Sequence, residues 1–167
     1  MRLIPFIAGR DFDIIKYWIT DERTHAFWSG NRIPYPMERE SFEKFFAGLS
    51  QQWGDTPFIA ADDNGRAVGF LSMALDLASG EMMLKFIVVD PQLRGKGIAQ
   101  QMLALAVKYA FEIADAGAVQ LMVFPENVRA MKCYEKAGFS VRRTDRDAFR
   151  FGDELWSRCN MILKRNR

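Results

Sequence analysis

Two stretches of this chain concentrate residue types that could handle a phosphate and a proton. The first is Arg94-Gly95-Lys96-Gly97-Ile98-Ala99, reached from the apolar run ending at Val89 through Asp90-Pro91-Gln92-Leu93. A helix opens here, and the first turn of a helix has unpaired N–H groups at the positive end of its dipole, where an anion is favoured. Gly95 and Gly97 carry no side chain to hold a phosphate away from those groups. Arg94 and Lys96 add positive charge beside them. The plainer alternative is that two glycines merely turn a corner. Neither G-x-x-x-x-G-K-[ST] nor a full G-x-G-x-x-G is formed. The spacing therefore points to phosphate without naming its carrier.

The second stretch is Asn127-Val128-Arg129-Ala130-Met131-Lys132-Cys133-Tyr134-Glu135-Lys136-Ala137-Gly138-Phe139. Asn127 and Tyr134 lie seven residues apart, which places them within about 20° on one helix face. Ala130, between them, is small enough to leave a groove with an amide at one end and a phenol at the other. Such a groove could hold an extended polar ligand. Each residue also has a structural reading: Asn127 as a helix N-cap, Tyr134 as a core aromatic with its hydroxyl at the surface. Gly138 stops the helix on either account.

The elements that must position these residues follow from periodicity. A first strand covers 2–6, and helices cover 11–19, 21–28 and 37–49, with Pro34 and Pro36 separating the last two. Strands follow over 58–61, 67–77 and 82–89, divided by turns at Asp62-Asp63-Asn64-Gly65 and Ser79-Gly80. The pattern then predicts a long helix over 97–114, a strand over 118–124, a helix over 125–137 and two strands over 140–147 and 154–163. Helices alternate with strands only in the second half, which implies a mixed sheet flanked by helices, α/β in composition but not doubly wound.

The 167 residues fit a single domain spanning 1–167, with ordinary globular composition at 49% hydrophobic and 26% charged. A net charge of +2 with scattered basic residues lacks the basic stripe of a nucleic-acid binder. Only Arg142-Arg143 and the tail Lys164-Arg165-Asn166-Arg167 are locally basic. Cys133 and Cys159 sit inside periodic segments and read as free thiols, and the single His25 has no partner nearby, so no metal cluster is indicated. The apolar stretch 3–8 ends in charge at Arg10 and reads as a strand rather than a signal peptide, and no apolar run reaches membrane-spanning length. A soluble cytoplasmic protein is expected.

Taken together, the two stretches resemble the GNAT superfamily of N-acetyltransferases. The family pattern V-x-P-x-x-R-G-x-G-x-A is filled over 89–99, and N-x-x-A-x-x-x-Y-x-K-x-G-F over 127–139, with one helix and one strand between them. The detailed resemblance covers about 82–139, and a finer likeness extends to the branch that acetylates ribosomal-protein N-termini. It implies a mixed, mostly antiparallel sheet of about seven strands, with two central parallel strands that splay apart at the cofactor site. Acetyl-CoA would be the co-substrate, with no metal. Its pantetheine arm would pair with backbone at Ile87, Val88 and Val89, its pyrophosphate would lie on Arg94, Gly95, Lys96, Gly97, Ile98 and Ala99, and Asn127 would bond the arm. Many relatives pair as homodimers.

The implied chemistry is direct attack of a neutral amine on the thioester, with a backbone N–H near Val89 holding the oxyanion. Tyr134 would give its proton to the departing thiolate, so Cys133 need not be a nucleophile. Glu81, in register with Met83 and Lys85 at the head of the cofactor strand, is the candidate base. It reads equally as a turn residue, a water chain is the other route, and Asp76, Glu22 and His25 are lesser candidates. The acceptor is a primary amine, a peptide N-terminus or a small molecule, selected by 21–53 and the last two strands. Within that region 26–36 is aromatic and turn-rich, either a pocket wall or a packed loop. Few acidic residues cluster there, so a polycation such as an aminoglycoside gains no support. The alternative is a catalytically idle acyl-CoA-binding module of the same fold.

Overall fold

The structure is a computed structural model that describes residues 1–165. Asn166 and Arg167, the end of the basic tail, lie outside the described residues. The elements run β1 (Arg2–Pro5), α1 (Ala8–Trp18), α2 (Glu22–Ser29), α3 (Arg39–Trp53), β2 (Thr56–Ala61), β3 (Ala67–Asp76), β4 (Glu81–Val89), a 3-10 turn (Pro91–Leu93), α4 (Ile98–Lys108), β5 (Ala118–Val123), α5 (Val128–Lys136), β6 (Ser140–Phe151) and β7 (Glu154–Lys164). The strands form one sheet in the order β1-β2-β3-β4-β5-β7-β6. Every described pairing is antiparallel except β4 with β5. This is the mixed sheet that the resemblance implies. No helix among the described residues is long and apolar enough to cross a membrane.

The helices divide between the two faces of the sheet. Phe12, Ile15 and Trp18 of α1 and Phe42, Phe46 and Leu49 of α3 are spaced three or four apart, so each helix turns one apolar stripe inward. They pack with Trp28, Ile59 and Phe70 on one face. On the other, Met102, Leu103 and Ala106 of α4 and Tyr134 of α5 join Leu71, Met82, Leu84 and Leu121. Gly69 on β3 lets α4 sit close: a Cβ there would stand 2.8 Å from Met102 Sδ and 3.1 Å from Val88 O.

Along β4 the two faces exchange. Met82 and Leu84 belong to the α4 side, as do Ile87 and Val89, whereas Phe86 and Val88 belong to the α1–α3 side. The change of parity is a β-bulge. Phe70 pairs with Val88 and Ser72 with Lys85, so Leu71 alone faces Phe86 and Ile87 together. Phe86 adopts φ 53°, a left-handed conformation that disfavours a bulky L-residue by about 1–2 kcal/mol. Ring contacts of 5.7, 5.5 and 5.2 Å to Trp28, Phe45 and Phe46 hold it there.

Three boundaries differ from the sequence reading. The helix expected over 97–114 begins at Ile98 and widens into a π-turn over Tyr109–Ile113, where Ala114 N donates to Tyr109 O at 3.0 Å. The last strand pair is longer than expected, because the polar run around Asp147 (φ 49°) is a bulge and not an end. Beyond it Phe149 resumes pairing with Trp156. The third helix starts at Arg39, leaving Met37 to pack in the core.

Gly69→Ala should lower stability by about 1–3 kcal/mol through overpacking. Urea unfolding reads this directly, and an unchanged midpoint would show that α4 does not depend on the missing Cβ.

Candidate active site

β4 and β5 begin as neighbours and then part. Their parallel pairing runs from Glu81↔Ala118 to Leu84↔Leu121 and stops, although β4 continues to Val89 and β5 to Val123. Asp90 N donates to Val68 O at 3.0 Å. Alternation along the strand therefore turns Val88 toward β3, and turns the N–H and C=O of Ile87 and Val89 into the gap. The gap is a cleft of about 680 Å³, walled on the β4 side by Ile87, Val88 and Val89 and on the α5 side by Asn127, Ala130 and Tyr134.

At one end the cleft meets the glycine loop. Gly95 and Gly97 take φ 80° and 79°, which only glycine adopts freely, and these turns aim the chain into α4. Gln101 N is the first to bond back, to Gly97 O at 3.1 Å. The N–H groups of Gly95, Gly97, Ile98, Ala99 and Gln100 have no acceptor among the described residues. Arg94, Arg129, Lys132 and Lys136 also line the cleft, and no Asp or Glu does among its described lining residues. Burial, and then the neighbouring Arg129 charge, push the Arg94 guanidinium below its ordinary value. Two such cations held together make a place for a multiply charged anion. Lys96 is exposed and is not part of this wall.

Tyr134 lies on the α5 wall, across the gap from β4, and is almost wholly buried. Its hydroxyl has no hydrogen bond within the protein, yet no buried side-chain oxygen among the described residues lacks a partner, so Oη opens onto the cleft. Burial, reinforced by Cys133, raises its pKa above the ordinary phenol value. It keeps its proton at neutral pH and can act as an acid. Cys133 is also raised, chiefly by burial, which leaves a thiol rather than a thiolate there. Asn127 does cap α5, accepting from Ala130 N at 3.2 Å, and lines the cleft as well, so both readings of it hold together.

The base candidates are more scattered. Glu81 stands at the start of β4, where Arg142 donates to it at 2.8 and 3.0 Å and Gln120 at 2.7 Å. Asp76 is tied into the turn by Ser79 Oγ and then Ala78 N, which lower its pKa. His25 is buried against Tyr35 and Trp28, its pKa lowered by burial. Glu22 is exposed in the first turn of α2. None of the four lines the cleft.

Sequence reasoning left Phe27 and Trp28 open between a wall of the acceptor pocket and a packed loop, and did not foresee that they and Thr24 would wall this cleft from α2. It also assigned no role to Arg129, Lys132 and Lys136, whose i, i+3, i+7 spacing places them on one helix face. Nothing in the local sequence marks the partner of Trp28, whose Nε1 donates to Phe86 O at 2.7 Å. The stretch 26–36 is both things at once: Phe27 and Trp28 wall the cleft, while Ile33 packs in the core.

Comparison with known proteins identifies the family and the fold. The model of the Acetyltransferase (GNAT) family matches residues 16–139. The chain belongs to that family. Its relatives among characterised proteins include aminoglycoside N(6')-acetyltransferase type 1 of Klebsiella pneumoniae, 26% identical over 153 residues, covering 84% of this chain and 75% of that protein. An uncharacterized N-acetyltransferase of Methanocaldococcus jannaschii is 29% identical over 111 residues, covering 64% of this chain and 70% of that one. Among solved structures, the spermidine N-acetyltransferase of Vibrio cholerae, in complex with CoA and spermine, superposes with a TM-score of 0.83 at 20% identity, covering 98% of this chain and 94% of that one. The fold of this GNAT acetyltransferase is thus the same as that of a polyamine-acetylating relative. The finer likeness to the ribosomal-protein branch draws no support from these relatives.

At the point of parting, Lys85 Nζ donates to Asp55 Oδ2 at 2.7 Å and Ser72 Oγ donates to Asp55 Oδ1 at 3.0 Å, with the Asp55 side chain fully buried. Asp55→Ala should cost about 3 kcal/mol by leaving Lys85 unpaired. Denaturant titration against Asp55→Asn, which keeps an acceptor, separates the lost charge from lost packing.

Proposed function

We propose that this GNAT acetyltransferase moves an acetyl group from acetyl-CoA to the primary amine of a small molecule by direct attack. The observation that carries this reading is the parted strand pair: backbone groups of Ile87 and Val89 on one side, the Tyr134 hydroxyl on the other, and five unpaired N–H groups at the end. Such a gap suits a cofactor with an amide-bearing arm and a pyrophosphate. The pyrophosphate would lie on the N–H groups of Gly95 to Gln100, and its charge would be matched by Arg94 and Arg129.

In this reading the pantetheine amides pair with Ile87 and Val89, and Asn127 bonds the arm through the amide nitrogen that its capping role leaves available. The amine attacks the thioester carbonyl, and a β4 N–H at Val89 stabilises the oxyanion. As the C–S bond breaks, Tyr134 gives its proton to the sulfur, which leaves as a thiol. The protonated state imposed by burial suits that role. No enzyme-bound acyl intermediate is needed, in keeping with a protonated Cys133.

The acceptor loses a proton as it attacks. Glu81 is engaged by Arg142 and Gln120, and the parting begins only beyond Leu84. A carboxylate placed there reaches the amine through water, so we assign it the far end of a water relay. Glu81→Gln should lower kcat by about tenfold with little change in acetyl-CoA binding; an unchanged kcat removes Glu81 from the reaction. A small-molecule acceptor is supported by the relatives, named for aminoglycoside and spermidine acetylation. The absence of acidic residues from the described cleft lining leaves recognition of a polycation to groups outside it.

Calorimetry with acetyl-CoA, followed by a screen of polyamines, amino sugars and peptide N-termini, tests the proposal. Wild type should bind in the micromolar range, and Gly97→Glu, which puts a carboxylate at the phosphate loop, should lose that binding. Tyr134→Phe should bind as wild type but turn over about 100-fold more slowly. Folded wild type that does not bind acetyl-CoA would refute the donor assignment.

A further inference from the structure

Neighbouring residues of α2 answer to opposite sides of the cleft. Trp28 packs with Phe42, Phe70 and Phe86, and its indole N–H donates to the carbonyl of Phe86 on β4 at 2.7 Å. Ala26 and Phe27 instead pack with Phe124, just beyond β5, and with Trp156 of β7. Phe27 and Trp156 stack with centroids 4.5 Å apart. One turn earlier, Arg23 donates to both oxygens of Glu154 at 2.6 and 3.0 Å and lies over the rings of Phe27, Phe151 and Trp156. Beyond Leu84 and Leu121 the two parts of the sheet have no strand pairing with each other. The helix spans that opening.

We propose that α2 fixes the width of the donor cleft, with Trp28 and Arg23 as positioning residues at its two ends. This rests on the acetyl-CoA reading above. Two unpaired strands have no register of their own, so their separation is set by whatever touches both. α2 does so over only eight residues, a span too short to flex internally. Its β4 contact falls on Phe86, the bulged residue with φ 53°, immediately before the peptide of Ile87 that would meet the cofactor arm. Hydrogen bonds weaken steeply with misalignment, so a small drift of Phe86 would remove the pairing of Ile87 and Val89 with pantetheine. The phosphate loop is built separately from this device, and the electrostatic link between them, from the α2 cap Asp21 to Arg94, is untouched by changing Trp28 or Arg23. It is formed by its own glycines at the start of α4, and no hydrogen bond joins it to α2 among the described residues.

The arm and the phosphate end can therefore be tested separately, using CoA and 3′,5′-ADP, the second measured by competition against the first. Trp28→Phe keeps an aromatic ring and removes the N–H. It should raise the CoA dissociation constant about tenfold. The 3′,5′-ADP constant should stay within about twofold of wild type, since that ligand lacks the pantetheine arm. Arg23→Met, cutting the other end, should show the same selectivity to a smaller degree, and decides alone where Trp28→Phe does not fold. Unchanged CoA binding in the variants overturns the proposal. Equal loss of both ligands with an unchanged far-ultraviolet spectrum also overturns it, because that is the signature of general damage. Wild type that binds neither ligand refutes the donor reading instead.

Discussion

Strands placed side by side in a sheet normally pair along their whole shared length, since a buried N–H or C=O without a partner costs about 1–3 kcal/mol. β4 and β5 forgo that pairing after Leu84 and Leu121, and the rest of the molecule depends on this parting. It is tolerable only because the exposed groups face a cleft that water or a ligand can enter. It is enforced by the bulge at Phe86, which bends β4, exchanges its faces and brings Ile87 and Val89 round to the α4 side. The left-handed backbone there persists because the aromatic rings of α2 and α3 enclose Phe86 and Trp28 holds its carbonyl.

Burial gives the cleft its chemical character. The cleft lining carries four cationic side chains, Arg94 beside the glycine loop and Arg129, Lys132 and Lys136 on α5, and, among the described lining residues, no acidic one. An anion therefore meets both the dipole end of α4 and fixed positive charge. On α5 itself burial acts on neighbouring Cys133 and Tyr134 in the same direction, raising both. For the cysteine this removes nucleophilicity, and for the tyrosine it preserves a proton to donate. One environment thereby favours direct transfer over a covalent intermediate.

Much of this was legible one motif at a time. Arg94 to Ala99 reads as a candidate anion site because Gly-x-Gly before an apolar helix leaves N–H groups bare, and Asn127, Ala130 and Tyr134 share a helix face by simple periodicity. Glu81 was legible as a face, in register with Met83 and Lys85, but not as a chemical group. Its partner Arg142 comes from β6, 61 residues away, and turns a free carboxylate into one arm of an ion pair. Ends of elements were read less well where the chain bulges and does not stop. Polar residues around Asp147 look like a turn, yet pairing continues to Phe151 because Phe149 and Phe151 pack on Trp156.

By itself the sequence determined the identity of the elements, the loop that would hold a phosphate and the tyrosine that would face it. Each is encoded over a short span, by helical or strand periodicity and by glycines that permit positive φ. Only the tertiary structure decided how wide the cleft is and what closes its third side. That depends on a bulge whose backbone no residue type announces, and on α2 touching β4 through Trp28 and β7 through Phe27 and Arg23. Such contacts join residues up to 131 positions apart, where no local pattern in the chain can record them.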